Sequence, residues 1–193
     1  MQYSLYLESE CKKLFLNKPQ GEVAMDTPHI DIIPIKTLYS VLSETDVAHS
    51  VAIIASSYEV DTAKIPIPHI VEYFDDLDRE IQGRSLSLEQ AKRYADFIKN
   101  LDANVRHIYC CCQSAQSRSA AIASALYKYY GDEARSTQIW EDPRYSPNPY
   151  VFLMLCEVLG VVFGDVELDT LIEANRQALR KAIQHARNLR TTQ

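Results

Sequence analysis

One segment constrains the fold of this chain more than any other: Cys-Gln-Ser-Ala-Gln-Ser-Arg-Ser, from Cys112 to Ser119. It follows an apolar run with the character of a strand and precedes an Ala-rich run with the character of a helix. A loop between a strand and a helix N-terminus directs its backbone N–H groups toward one point. The segment therefore predicts a strand–loop–helix unit that binds an anion.

The two ends of this loop suit phosphate chemistry. Backbone N–H groups and a helix N-terminus lower a thiol pKa from about 8.5 to about 3.5–7.5, so Cys112 is predicted to be a thiolate nucleophile. Arg118 can donate two parallel N–H bonds to phosphoryl oxygens, a geometry that lysine cannot match. The loop residues predicted to surround the phosphate are Gln113, Ser114, Ala115, Gln116 and Ser117.

Cys-x5-Arg-Ser between a strand and an Ala-rich helix resembles the signature of the cysteine-dependent protein tyrosine phosphatases. The Ser-Arg-Ser ending and the Ala-Ala-Ile-Ala that follows resemble the compact dual-specificity branch and its bacterial relatives. This resemblance implies phosphomonoester hydrolysis through a phosphocysteine on Cys112, with Arg118 binding the phosphate and no cofactor or metal. It also implies that Ser119 hydrogen-bonds the sulfur, although its hydroxyl could equally cap the helix.

The resemblance implies a general acid as well, an aspartate some thirty-odd residues before the cysteine. Tyr-Phe-Asp-Asp-Leu-Asp occupies that place, and Asp76 lies 36 residues before Cys112. Phe-Asp-Asp resembles a motif of several small phosphatases whose second aspartate is the acid. We therefore predict Asp76 as the acid, then Asp75, then Asp78; the alternative for each is a solvated loop carboxylate.

Two positions depart from the family pattern. Cys111 stands where the family usually has histidine, and Ala115 stands where it usually has glycine. A methyl group at Ala115 is costly if the backbone there needs a positive φ, which predicts a reshaped loop and low activity. Cys111 could also form a disulfide with Cys112 on oxidation, although disulfides between adjacent residues are strained.

The remaining candidate residues have ordinary structural explanations. His107 is predicted to be a structural strand residue and Asn148 a helix cap, while Tyr145 could line the mouth of the pocket. The loop interior, 113–117, contains no lysine. Because phosphoinositide-directed relatives carry basic residues there, a phosphorylated protein or a small phosphomonoester is the expected substrate.

Composition excludes several classes of partner. The net charge is −6 with no basic run, which disfavours nucleic acid and anionic membranes. The N-terminus lacks a basic n-region, and the apolar stretch 150–163 is interrupted by Glu157 and shorter than the ~20 residues that span a bilayer. A cytoplasmic location is therefore expected. The chain has five cysteines, an odd number that argues against a disulfide framework: Cys11, Cys110, Cys111, Cys112 and Cys156. The three adjacent ones, 110–112, cannot share a zinc ion.

Periodicity predicts an α/β fold with a central, mostly parallel sheet of four to five strands and helices on both faces, similar to the dual-specificity phosphatase fold. The chain of 193 residues is expected to be one domain, with the resemblance covering about 50–159. An extra C-terminal helix, about 165–190, should pack on the core; a homodimer through it is the alternative. Strands are predicted at 2–7, 29–35, 50–55, 66–74 and 105–111, and helices at 11–16, 87–101, 119–130, 132–140 and 149–159.

Three other functions compete with phosphate hydrolysis. One is a phosphate-binding module without turnover, in which Ala115 or a misplaced acid has ended catalysis. Another is a different enzyme with a Cys-x5-Arg loop, such as a rhodanese-like sulfurtransferase or an arsenate reductase. The last is a structural protein that assembles through its C-terminal helix, which leaves the loop unexplained.

Overall fold

The computed structural model describes residues 27–44, 47–162 and 164–191, together with their side chains except at 44, 165 and 189–191. In this part of the chain, four strands form one parallel sheet in the order β1-β4-β2-β3. The predicted α/β class is confirmed. The elements expected at 2–7 and 11–16 lie outside the described residues. The strands are β1 His29–Pro34, β2 Ser50–Ser56, β3 His69–Tyr73 and β4 His107–Cys112.

The helices of the described residues follow the prediction except for the first. They are α1 Ile35–Glu44, α2 Leu88–Lys99, α3 Arg118–Tyr129, α4 Glu133–Glu141, α5 Pro149–Leu159 and α6 Asp165–Thr191, with a 3-10 turn at Thr62–Lys64. The strand predicted to reach Ile35 ends at Pro34, and Ile35 begins α1, which was not predicted. Leu38 and Leu42, four residues apart, are its buried anchors.

Local signals set several helix ends as expected. The Ser87 hydroxyl accepts from the Gln90 N–H at 3.3 Å, and the Gln90 side chain accepts from the Ser87 N–H at 2.9 Å. The predicted capping box at the start of α2 is thus confirmed. Gly131 and Gly160 follow α3 and α5 with φ of 82° and 76°, values that favour glycine.

Each face of the sheet carries its own apolar core. On one face, Val51, Ile53 and Cys110 pack under the larger set of helices, which includes α2, α3 and α5. On the other face, Ile54 and Cys111 pack beneath α1 and the segment around the 3-10 turn. Helices therefore lie on both faces, as predicted, and the central strand β2 is buried along its whole length.

The C-terminal helix α6 packs on this core through its first half. Leu171 is buried in the larger core, and the Asn175 amide donates to the carbonyls of Trp140 and Tyr145 at 2.8 and 3.0 Å. Farther along, the side chains of 183–188 are exposed. The expected packing of this helix is confirmed for its first half, and a dimer through the rest stays a prediction.

The parallel arrangement decides where a site can form. All four strands point the same way, so the segments that follow β2, β3 and β4 meet at one edge of the sheet. The loop of Cys112 follows β4, which lies between β1 and β2. None of the helices in the described ranges is long and apolar enough to cross a membrane.

Candidate active site

The thiol of Cys112 lies buried where β4 ends and the loop begins. Its Sγ is 3.1 Å from the Ser119 hydroxyl. Burial by itself raises the pKa of this thiol, but hydrogen bonds from the Ser119 side chain and from the N–H groups of Ser119, Ser114 and Ala115 outweigh it. The net effect lowers the pKa of Cys112 below the ordinary value of a thiol. The predicted contact of Ser119 with the sulfur is present, and because α3 begins at Arg118, Ser119 lies within its first turn rather than at the cap position.

The neighbouring cysteines respond in the opposite way. Burial raises the pKa of Cys110 and of Cys111 well above the ordinary value, and burial raises that of Cys156 to about 12. Cys111 packs on the opposite face of the sheet from Cys112. Among the cysteines of the described ranges, Cys112 is thus the one whose thiolate is stabilised, and the cause is the loop.

The guanidinium of Arg118 is held by the ends of two other strands. Arg118 as a whole is only 5% exposed. Nη1 donates to the Ser57 hydroxyl at 2.9 Å and to the Phe74 carbonyl at 2.6 Å, and Nη2 donates to the Gln113 side-chain oxygen. Gln113 in turn donates to the Ser56 hydroxyl at 2.6 Å. Sequence reasoning missed Ser56 and Ser57, although a Ser-Ser pair at the carboxyl end of a buried parallel strand lies where sites form in such sheets.

One donor of Arg118 remains unused. Within the described part of the chain, its buried Nε–H has no acceptor. A buried N–H without a partner costs about 1–3 kcal/mol, and more for a charged group, so such atoms are rare in folded proteins. An oxyanion bound in the loop beside Cys112 would supply the missing acceptor, and the remaining contacts of the guanidinium would hold it in place.

The loop backbone has a positive φ at Ala115, the position where the family that the sequence resembles usually has glycine. Ala115 has a φ of 57°, in the left-handed region. For a residue with a Cβ this conformation costs roughly 1–2 kcal/mol. The predicted backbone strain at Ala115 is therefore present, and the Ala115 N–H still donates a hydrogen bond to Cys112.

Replacing Ala115 by glycine is expected to stabilise the protein. The change removes about 1–2 kcal/mol of left-handed strain and adds an entropic cost of about 0.5–1 kcal/mol for ordering glycine, which leaves a net gain of about 0–1.5 kcal/mol. Urea unfolding followed by circular dichroism measures it. The matched control is Ala123→Gly inside α3, which should cost about 1 kcal/mol or more. A lower stability for Ala115→Gly than for the wild type would contradict the strain.

Asp76 lies at the rim of the loop. Its Oδ1 accepts from the Ser117 hydroxyl at 2.9 Å and from the Asn148 amide at 2.7 Å. Asp75 instead accepts from Arg84 at 2.8 Å, which turns its carboxylate to an ion pair. Asp78 is exposed and lines the same surface cavity as Asp76. Of the three predicted carboxylates, Asp76 is the one with a hydrogen bond from a loop side chain, that of Ser117.

Asn148 fixes the position of Asp76. Its residue is buried, and its Oδ1 accepts from the Val151 N–H at 3.0 Å, which confirms the predicted cap of α5. The same side chain donates to Asp76 and to the Leu77 carbonyl at 2.9 Å. The Ser146 N–H also donates to the Gln116 carbonyl at 2.9 Å, so the segment before α5 rests on the loop. The contact of Asn148 with Asp76 was not predicted, because the sequence indicated only a helix cap for this residue.

The other two candidates lie elsewhere. Tyr145, which could have lined the pocket mouth, packs partly buried against the larger core, and its carbonyl accepts from Asn175. His107 begins β4, at the end of the strand opposite Cys112, and its Nε2 is 2.9 Å from Asp31. Neither residue contacts the loop through the hydrogen bonds just described.

Comparisons with known proteins add a likeness of fold. No protein-family model matches the sequence, and none of the curated proteins compared with it matches either. Among solved structures the chain is similar to PTPMT1 in its crystal structure in complex with PI(5)P, with a TM-score of 0.42 and 12% sequence identity. The similarity covers 82% of this chain and 96% of that chain. At this level of similarity, only the geometry of the site bears on function.

Proposed function

We propose that this chain is a cysteine-dependent phosphomonoester hydrolase of the protein tyrosine and dual-specificity phosphatase type. The observation that carries the proposal is the pairing of two features in one loop. Hydrogen bonds lower the pKa of the Cys112 thiol, and the buried Nε–H of Arg118 lacks an acceptor among the residues that the structure describes. A tetrahedral phosphate that contacts both would meet a nucleophile and a cationic donor at once.

In the first step the Cys112 thiolate attacks phosphorus in line. The S–P bond forms as the bond from phosphorus to the leaving oxygen breaks, and the developing charge on the equatorial oxygens is met by loop N–H groups and Arg118. The leaving oxygen takes a proton from Asp76, which the contacts with Ser117 and Asn148 hold at the rim. The products are the free alcohol or phenol and a phosphocysteine.

In the second step water attacks the phosphocysteine. The Asp76 carboxylate accepts a proton from this water, the new P–O bond forms, and the S–P bond breaks. The departing sulfur regains its negative charge beside the Ser119 hydroxyl, 3.1 Å away, which stabilises it as a leaving group. Inorganic phosphate then leaves, and the enzyme returns to its starting protonation state.

The substrate class follows from the loop side chains. Residues 113–117 include no basic side chain that could meet additional phosphate groups. We therefore propose a phosphorylated protein or a small monoester as substrate and expect phosphoinositides to be turned over more slowly. Phosphate release from a phosphotyrosine peptide and from a water-soluble phosphoinositide, at equal concentrations, compares the two classes.

Asp76→Asn is expected to slow substrates with poor leaving groups most. An amide cannot donate a proton to the departing oxygen, so kcat for phenyl phosphate should fall by about 10²-fold, at the lower end of general acid catalysis. Para-nitrophenyl phosphate should be affected less, because its leaving group needs little protonation. Asp75→Asn, which loses an ion pair with Arg84, is the matched control and should leave the ratio of the two rates unchanged.

An equal loss of rate on both phenyl esters would remove Asp76 from the acid role. If Asp78→Asn rather than Asp76→Asn showed the leaving-group dependence, the proton donor would be the neighbouring carboxylate in the same cavity. Either result changes the acid without changing the nucleophile.

The experiment that tests the function is hydrolysis of para-nitrophenyl phosphate by the full chain, with EDTA and with or without vanadate. Turnover that vanadate inhibits supports the proposal. Absence of turnover, with vanadate still raising the melting temperature, would mean a phosphate-binding module in which Ala115 or a misplaced acid has ended catalysis. Turnover of thiosulfate and cyanide without phosphatase activity would mean a sulfurtransferase. No signal in any of these assays would overturn the proposed phosphatase function and both of these alternatives.

A further inference from the structure

A second cluster of reactive side chains lies at the opposite end of the sheet from the Cys112 loop. His29 of β1 and His107 of β4 are direct partners across the parallel strand pair. Asp31, two residues after His29, is on the same face of β1. Its Oδ1 is 3.1 Å from Nε2 of His29, and its Oδ2 is 2.9 Å from Nε2 of His107. Two imidazoles thus converge on the two oxygens of one carboxylate.

The surroundings restrict how these side chains can move. The ring of His107 stacks on Tyr109 with centroids 4.3 Å apart, and Tyr109 is the strand partner of Asp31. The His29 ring stands edge-on to His107 at 4.9 Å. The strand ladder carries all three ligand side chains on a rigid support. They nevertheless stay accessible, since the side chains of His29, Asp31 and His107 are 66%, 41% and 29% exposed.

We propose that His29, Asp31 and His107 bind a divalent transition-metal ion, with Zn²⁺ as the best fit. Their ligand atoms lie within 4.8 Å of one another. Zinc bonds of about 2.0–2.2 Å place tetrahedral ligand atoms roughly 3.4 Å apart, so small rotations of the side chains would admit the ion. Imidazole nitrogens favour zinc over Mg²⁺ and Ca²⁺, which prefer oxygen ligands. Three protein ligands leave a fourth position for water.

Metal binding requires a simple proton exchange. Each neutral imidazole must present an unprotonated Nε2 to the ion, so the ring proton moves to Nδ1. The exposure of both rings lets solvent carry that proton. The ion then replaces the two hydrogen bonds between the imidazoles and Asp31.

The proposed ion lies too far from the loop to take part in phosphate chemistry. His107 and Cys112 are the first and last residues of β4, so their Cα atoms are about 16 Å apart at ~3.3 Å per residue. Its effect would be to clamp β1 to β4. The proposed metal site is therefore independent of the proposed phosphatase function, and each can be tested separately.

Zinc titration of the full chain in a Cys112→Ser background tests the site, because this background removes the active-site thiolate as a competing ligand. Calorimetry should give one Zn²⁺ per chain. Asp31→Asn and His29→Ala should each weaken binding by at least about tenfold, the smallest loss usual even for an outer partner of a metal site. The control, His69→Ala, changes a histidine of β3 whose Nδ1 contacts the Ile67 carbonyl, and should bind zinc as the background does.

Cobalt substitution in the same Cys112→Ser background gives a second measurement that does not depend on the Asp31 and His29 variants. Co²⁺ bound by two imidazoles and a carboxylate should show visible d–d absorption without a sulfur-to-cobalt charge-transfer band. The proposal is overturned by any of three results: no binding of Zn²⁺ or Co²⁺, affinity unchanged in Asp31→Asn and His29→Ala variants that remain folded, or a charge-transfer band that reveals a cysteine ligand.

Discussion

Cys112→Ser is expected to lower kcat for para-nitrophenyl phosphate on the order of 10⁶-fold, the loss that follows removal of a covalent nucleophile. A serine hydroxyl has a far higher pKa than a thiol, so the hydrogen bonds from Ser119 and the loop N–H groups cannot ionise it. Those donors and Arg118 remain in place. Inorganic phosphate should therefore still bind, which protection against thermal unfolding would measure.

The matched control for this variant is Cys111→Ser. It makes the same chemical change one residue away, on the opposite face of the sheet. The new hydroxyl is buried among apolar side chains, so stability should fall by about 1–3 kcal/mol while turnover by the folded protein is kept. If Cys111→Ser abolished turnover and Cys112→Ser did not, Cys112 would not be the nucleophile.

Arg118→Lys is expected to lower kcat/KM by about 10³-fold, near the lower end of what an arginine contributes to phosphoryl transfer. Lysine keeps the positive charge but loses the planar fork. The contacts of the guanidinium with Ser57, the Phe74 carbonyl and Gln113 could not all be remade by one ammonium group. Phosphate affinity should fall together with the rate, because the guanidinium N–H groups would bind the phosphoryl oxygens in both the ground state and the transition state. Steady-state kinetics and phosphate inhibition constants check both effects.

The control for charge alone is Arg144→Lys. Arg144 is an exposed arginine paired with Asp142 near the start of α5, so its replacement should leave kcat/KM within about twofold, as for most surface substitutions. A rate for Arg118→Lys close to that of Arg144→Lys would mean that charge suffices. The unpaired Nε–H of Arg118 would then have no catalytic meaning.

Much of the fold follows from local patterns. The capping box at Ser87, the glycine after α3 and the buried run of β2 are all signals between near neighbours in the chain, and the structure confirms each of them. Helix α1 was missed because the apolar residues before Pro34 favour a strand, and because α1 has no acidic residue in its first turn and no basic residue in its last turn. Its two anchors, Leu38 and Leu42, are the signal that could have revealed it.

The candidate site divides in the same way. The thiol and the arginine follow from one octapeptide, because a strand–loop–helix unit directs both toward the same point. The contact of Ser119 with the sulfur and the positive φ at Ala115 were expected from the resemblance, and both are present. The choice of Asp76 among three carboxylates rested on a resemblance. Its contacts with Ser117 and Asn148 support that choice with geometry that no local pattern contains.

By itself the sequence determined the α/β class, the loop between β4 and α3, and the residue types that are proposed to bind a phosphate there, because these depend on periodicity and on hydrogen bonds between neighbours. Tertiary structure alone decided what holds Arg118 and Asp76, and that His29 and Asp31 lie beside His107. Those partners are separated by dozens of residues. A parallel sheet brings matching strand ends together whatever their distance along the chain, and only its strand order and register determine which ends meet.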